Sequence, residues 1–149
     1  MSSANFNVDI NMVFAILNGR VSSSINKSLA TEFKKAGIDL TPEGWTVMIF
    51  LWEKDGVSQQ ALCNATYRDK PGMTRLLDTL EKKHLVVRVT DRSDKRSKLI
   101  FLTNEGRQIE SQARAATQRM LSNALKGLDS DELIISQEVL KQVFKNLSD

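Results

Sequence analysis

SQQALCNATYRDKPGMTRLLDTLEKKHLVVRVTDRSDKRSKLIFL, residues 58 to 102, changes its periodicity partway along, and that change decides the fold. Ser58 is placed to cap a short helix, Gln59 to Ala65, whose apolar face is Ala61, Leu62 and Ala65. A brief turn through Thr66 to Arg68 leads to Asp69, which reads as the N-cap of a longer helix. Pro71 is tolerated in a first turn, and Met73, Leu76, Leu77 and Leu80 keep the helical period until the chain stops near His84. From Leu85 the pattern turns to strand: Val86 to Thr90, then Lys98 to Leu102. Between them lie seven polar residues, Asp91 to Ser97, the charged tip of a β-hairpin.

Upstream, Ile10, Val13, Phe14, Leu17, Val21, Ile25, Leu29 and Phe33 recur at spacings of three and four, which predicts one long amphipathic helix over about 5–36, ending near Gly37. Thr41 and Pro42 open a second helix carrying Trp45, Met48, Ile49 and Trp52, closed by Lys54-Asp55-Gly56. Downstream, Thr103-Asn104-Glu105 opens a helix reaching towards Gly127, and Asp129 or Ser130 starts a last one with Leu133, Ile134, Val139, Leu140, Val143, Phe144 and Leu147. The expected class is mainly α with a small β-hairpin wing: a winged helix-turn-helix lobe over about 40–103, flanked by N- and C-terminal helices (104–149 for the latter) that dimerise, all in a single domain of 1–149.

The charge distribution points to a polyanion. The whole chain is only +3, but residues 68 to 98 hold ten basic against five acidic side chains, whereas the remainder carries −2. In a winged helix-turn-helix the third helix enters the DNA major groove and the hairpin tip flanks it. Such a helix needs exposed donors for base edges and phosphates. The residues expected at double-stranded DNA are Ser58, Gln59, Arg68, Lys70, Pro71, Gly72, Met73, Thr74 and Arg75 from the helices, and Arg92, Lys95 and Arg96 from the wing. Pro71 and Gly72 allow close approach of the backbone. Asp94, a carboxylate among cations, is expected to contact Arg96 and shape the tip.

The segments Leu40-Thr41-Pro42-Glu43-Gly44-Trp45, Thr74 to Lys83, Asp94-Lys95-Arg96 and Leu102-Thr103-Asn104-Glu105-Gly106 resemble the multiple antibiotic resistance regulator (MarR) family in order and spacing. The resemblance implies a homodimeric transcriptional regulator on a pseudo-palindromic operator, often relieved by a small aromatic or anionic effector or by cysteine oxidation. Two positions depart from the family pattern. His84 stands where a glycine is usual, and Pro71-Gly72 where a Ser-Thr pair is common, so base preference does not transfer.

Other features carry two readings each. Trp45, Met48 and Trp52 line an effector pocket or simply fill the core. Cys63, the sole cysteine, is a small buried filler or a redox sensor; being alone, it excludes an intramolecular disulfide and suits a reducing cytoplasm. His84 is a helix-end residue rather than a metal ligand, since one His and one distant Cys make no metal set. No nucleophile–base pair, metal spacing or phosphate loop argues for an enzyme, and no cofactor is expected. The N-terminal residues lack a basic region followed by an apolar run, and no 18-residue apolar span occurs, so neither secretion nor a membrane span is expected. The alternative to a DNA-binding regulator is a winged-helix module that binds protein instead.

Overall fold

A computed structural model describes residues 4–148. Its elements run α1 (Ile10–Lys35), α2 (Pro42–Glu53), β1 (Val57–Ser58), α3 (Gln59–Thr66), α4 (Lys70–Lys82), β2 (Val86–Thr90), β3 (Lys98–Leu102), α5 (Asn104–Gln108), α6 (Glu110–Ala124) and α7 (Ser130–Leu147). Nearly every helix starts where its cap stands in the sequence. The side chains of Thr41, Ser58, Asp69 and Thr103 accept from Gly44, Ala61, Gly72 and Gly106 N–H, and Asp129 with Glu132 closes a capping box. α1 starts at the first residue of its apolar period, later than the bound of about 5 expected for it. Asp9 captures the Asn11 N–H at 2.7 Å, so the helix begins at Ile10.

The winged-helix lobe gathers α2, α3 and α4 against a small antiparallel sheet of order β1-β3-β2. The hairpin pairs Val86 with Leu102 and Thr90 with Lys98. β1 was not anticipated: Val57 and Ser58 pair with Ile100 and Leu99 on the far side of β3. A two-residue strand has no periodicity to detect. What holds it is Asp55, whose carboxylate oxygen Oδ1 accepts from Gly56 N–H at 2.9 Å and from Leu102 N–H at 2.8 Å. Gly56 has φ +70°, and a Cβ there would lie 2.7 Å from the Phe101 ring; glycine alone makes this turn without strain or clash.

The core joins Leu29 and Phe33 of α1, Val47, Met48 and Leu51 of α2, Leu62 and Cys63 of α3, Met73, Leu77 and Leu80 of α4, Val86 and Ile100 of the sheet, and Ala113, Ala116 and Met120 of α6. α1 packs along α6 and is buried only towards its C-terminal end, at Leu29 and Phe33. Its N-terminal half leaves Ile10 81% and Leu17 56% exposed. α7 buries none of its residues, and Ile134, Val139, Leu140 and Phe144 stay open along it. Phe144 approaches Tyr67 edge-on, with ring centroids 5.3 Å apart.

One helix expected from Thr103 to Gly127 is interrupted at Ile109, between α5 and α6. α5 is short because it must dock tightly. A Cβ on Gly106 would lie 2.2 Å from the Leu85 carbonyl oxygen, and the Gly106 carbonyl accepts the Trp52 indole N–H at 2.9 Å. No helix of the described residues is long and apolar enough to cross a membrane.

Candidate nucleic-acid interface

α4 turns Met73, Leu76, Leu77 and Leu80 into the core, which leaves Lys70, Pro71, Arg75 and Thr79 on its outer side and Thr74 half-buried at its flank. This corrects the placement of Met73 among the DNA-facing residues. It is wholly buried, because the helical period that carries Leu76, Leu77 and Leu80 inward carries Met73 with them. Gly72 sits under its cap: a Cβ would lie 2.8 Å from the Asp69 carboxylate oxygen that holds the Gly72 N–H. Its smallness therefore serves the helix start as well as any approach from outside.

Arg68 is not free. Its Nη1 donates to Thr46 Oγ1 at 2.6 Å, tying the turn before α4 to α2. With Glu43, Gly72, Arg75, Leu76 and Thr79 it lines a cleft beside the outer face of α4. Arg75, Arg92, Lys95 and Arg96 are exposed, and among the described residues none of them makes an ion pair. Ser58 is used as the cap of α3, and Gln59 Nε2 reaches across to Thr74 Oγ1 at 2.9 Å.

The wing tip is shaped by local carboxylates. Asp91 Oδ1 accepts from Ser93 N–H at 3.0 Å and Ser93 Oγ–H at 2.7 Å, which holds its carboxyl below the usual range. Asp94 Oδ1 accepts the backbone N–H of Arg96 at 3.0 Å. The Asp94–Arg96 contact is thus made to the main chain, and the Arg96 guanidinium stays available.

What fixes the wing to α4 was not read from the sequence. Arg88 of β2 donates from Nη2 to Asp78 at 2.6 Å and to Glu81 at 3.1 Å, while its own backbone N–H meets Glu81 at 3.3 Å. The side-chain bond with Glu81 raises the guanidinium pKa and lowers that of the Glu81 carboxyl. The signal available was the spacing: Asp78 and Glu81 share one face of a helix, and the only cation of the following strand core is Arg88. Asp55 and Arg107 were also missed; their ion pair braces the β1 turn against α5.

The aromatic set of α2 packs against the core, Trp45 and Trp52 partly buried and Met48 wholly so. Met48 is wholly buried beside Val47 and Leu51, and the Trp52 indole is bound to Gly106 and covered by the Arg114 guanidinium at 5.8 Å. The open recesses lie beside α6 instead. One, between α1 and α6, includes Arg20, Ser24, Thr31 and Arg119; the other, between α2 and α6, includes Ile49, Arg114, Thr117 and Leu121. The Trp45 indole nitrogen is buried and has no hydrogen-bond partner among the described residues.

Cys63 is 4% exposed, and burial, then the Asp69 charge, pushes its thiol pKa up. His84 takes a left-handed conformation, φ 60°, just past the end of α4, with its carbonyl accepting the Thr103 hydroxyl at 2.5 Å. That is the helix-end role a glycine commonly fills. Among the described residues there is no group of three or more potential metal ligands.

Residues 40–98 match the model of the MarR family. The chain is 24% identical over 129 residues, 87% of its length and 85% of the relative's, to the HTH-type transcriptional regulator YybA of Bacillus subtilis (strain 168). Among solved structures it is similar to reduced AbfR bound to DNA, with a TM-score of 0.72 and 26% identity over 93% of each chain. PcaV of Streptomyces coelicolor, in complex with its natural ligand, superposes with a TM-score of 0.73 over 96% of each chain; at 19% identity this likeness is one of fold.

Proposed function

We propose, from the match of residues 40–98 to the MarR family model, that the protein is a sequence-specific DNA-binding transcriptional repressor acting as a homodimer on a pseudo-palindromic operator. The observation that carries the proposal is α4 itself: an apolar face locked into the core, an outer face bearing Lys70 and Arg75 with Thr74 at its flank, and a wing with free Arg92, Lys95 and Arg96 tethered to it through Arg88. A helix so presented fits the major groove, and the wing cations suit phosphate or the minor groove, whose negative potential attracts Arg. Ser58, Pro71 and Gly72 complete the facing surface.

The open stripes on the N-terminal half of α1 and on α7 support the dimer. Ile10, Leu17, Leu140 and Leu147 are 46–81% exposed, a surface that a second copy would cover through these helices. Two-fold symmetry then sets two α4 helices about one helical turn apart, roughly 34–36 Å. Residues 1–149 act as one domain in this scheme, in the cytoplasm where the DNA is.

Release is assigned to a small aromatic or anionic effector in the recess between α2 and α6. Ile49 and Leu121 give it an apolar wall and Arg114 a cation. Arg114 already pairs with Glu53 of α2 and Glu110 of α6, so a ligand that competes for it would alter how the lobe sits on α6. No catalytic role is assigned.

Retention of the purified protein on duplex DNA, measured against ionic strength, tests the reading. Each neutralised phosphate contributes about −0.9 to the slope of log K on log salt. A steep slope supports the regulator; no retention of any duplex at low salt refutes it and favours a protein-binding module.

A further inference from the structure

Building on the regulator reading, we propose that Gln59 and Thr74 form one hydrogen-bonded reading pair, across the two helices of the motif, that selects adenine at a single operator position. Thr74 lies in the second turn of α4 and Gln59 at the first residue of α3, and the two side chains meet at 2.9 Å.

The valences decide what the pair offers. A threonine hydroxyl has one hydrogen and two lone pairs. The Thr74 hydrogen goes to the Lys70 carbonyl at 2.9 Å, so Oγ1 can only accept from Gln59, and the Gln59 amide must present its nitrogen there. This fixes the amide. What remains for a base edge is one N–H and the carbonyl oxygen of Gln59, plus one lone pair on Thr74.

An edge with one donor beside acceptors matches adenine, which shows an amine donor at N6 and an acceptor at N7 in the major groove. Guanine shows only acceptors there, at O6 and N7, and leaves the Gln59 carbonyl without a partner. Thr74 acts as the positioning residue: without its hydroxyl the Gln59 amide is free to rotate and loses its preference.

The test is selection from a randomised duplex library by the full-length protein and by its Gln59→Ala, Thr74→Val and doubly substituted forms, with Thr74→Ser as the variant that restores the hydroxyl. Wild type and Thr74→Ser are expected to enrich adenine at one position per half-site. Gln59→Ala and Thr74→Val should each reduce that preference about 5- to 150-fold at the same position, leaving other positions unchanged. Combining them should add little, because one interaction is lost in each case. Effects at two different positions, or an even fall in affinity across all sequences, would overturn the pair while leaving the regulator reading intact. Failure of the wild type to retain any duplex would remove both.

Discussion

Arg88→Ala removes the tether between wing and reading helix without removing any residue assigned to DNA. The Arg88 side chain is 22% exposed, and its partners Asp78 and Glu81 are 47% and 42% exposed, so the cluster lies between the surface and buried extremes. Exposed pairs contribute about 0.2–1 kcal/mol, and breaking a buried pair costs about 3–5 kcal/mol. Loss of a half-buried guanidinium serving two carboxylates is therefore expected to cost about 1–2 kcal/mol, which for a chain of this size lowers Tm by about 2–8 °C. The loss should depend on pH in a defined direction. Bonding to Arg88 holds the Glu81 carboxyl below its ordinary value of 4.5, so its contribution is complete above that value and disappears as pH falls through the lower, folded-state value. Thermal melts of wild type and variant should consequently differ at pH 7 and converge as the solution is acidified below 4.5. Duplex binding should weaken while the salt slope stays the same, because Arg88 neutralises no phosphate. Equal melting temperatures at pH 7, or a gap that persists unchanged in acid, would refute the assignment of Arg88 as the wing anchor.

Three further outcomes follow from the same geometry. Arg75→Ala should cost about 1–3 kcal/mol of operator affinity if the guanidinium reads a base, or lower the salt slope by about one if it holds a phosphate; unchanged titrations on both counts remove Arg75 from the interface. Removal of residues 130–149 should yield a monomer in sedimentation equilibrium, since it takes away the exposed Ile134, Val139, Leu140, Phe144 and Leu147 of α7, whereas a stable dimer of the truncated chain contradicts the assembly proposed. Cys63, buried and with its thiol pKa raised, should react slowly with thiol reagents at neutral pH in the folded protein, and Cys63→Ser should keep DNA binding under peroxide and without it. Rapid stoichiometric oxidation of Cys63 accompanied by release of DNA reverses that reading.

Local signals proved the most legible. Ser58, Asp69 and Thr41 could be recognised as caps because a cap is written within three residues of the helix it starts, and the hairpin because a period of two replaces one of 3.6. His84 was legible as a helix end. What escaped depends on partners distant in the chain. β1 exists because Asp55 bonds to Leu102, and the wing anchor because Arg88 reaches back to α4. Met73 was counted both in the apolar stripe with Leu76, Leu77 and Leu80 and among the DNA-facing residues, and the stripe decides its place. Of the two readings open for Met48, its phase on α2, that of Val47 and Leu51, favours core filling. Arg68 looked like a free cation because Thr46, which holds it, lies twenty-two residues earlier.

Hydroxyl-radical footprinting of the full-length protein on an operator selected from its own genome examines the paired reading heads most directly. Two protected patches, related by a two-fold axis and centred about 10–10.5 base pairs apart, are the predicted pattern. A single unsymmetrical patch, or protection that does not depend on sequence, would contradict it.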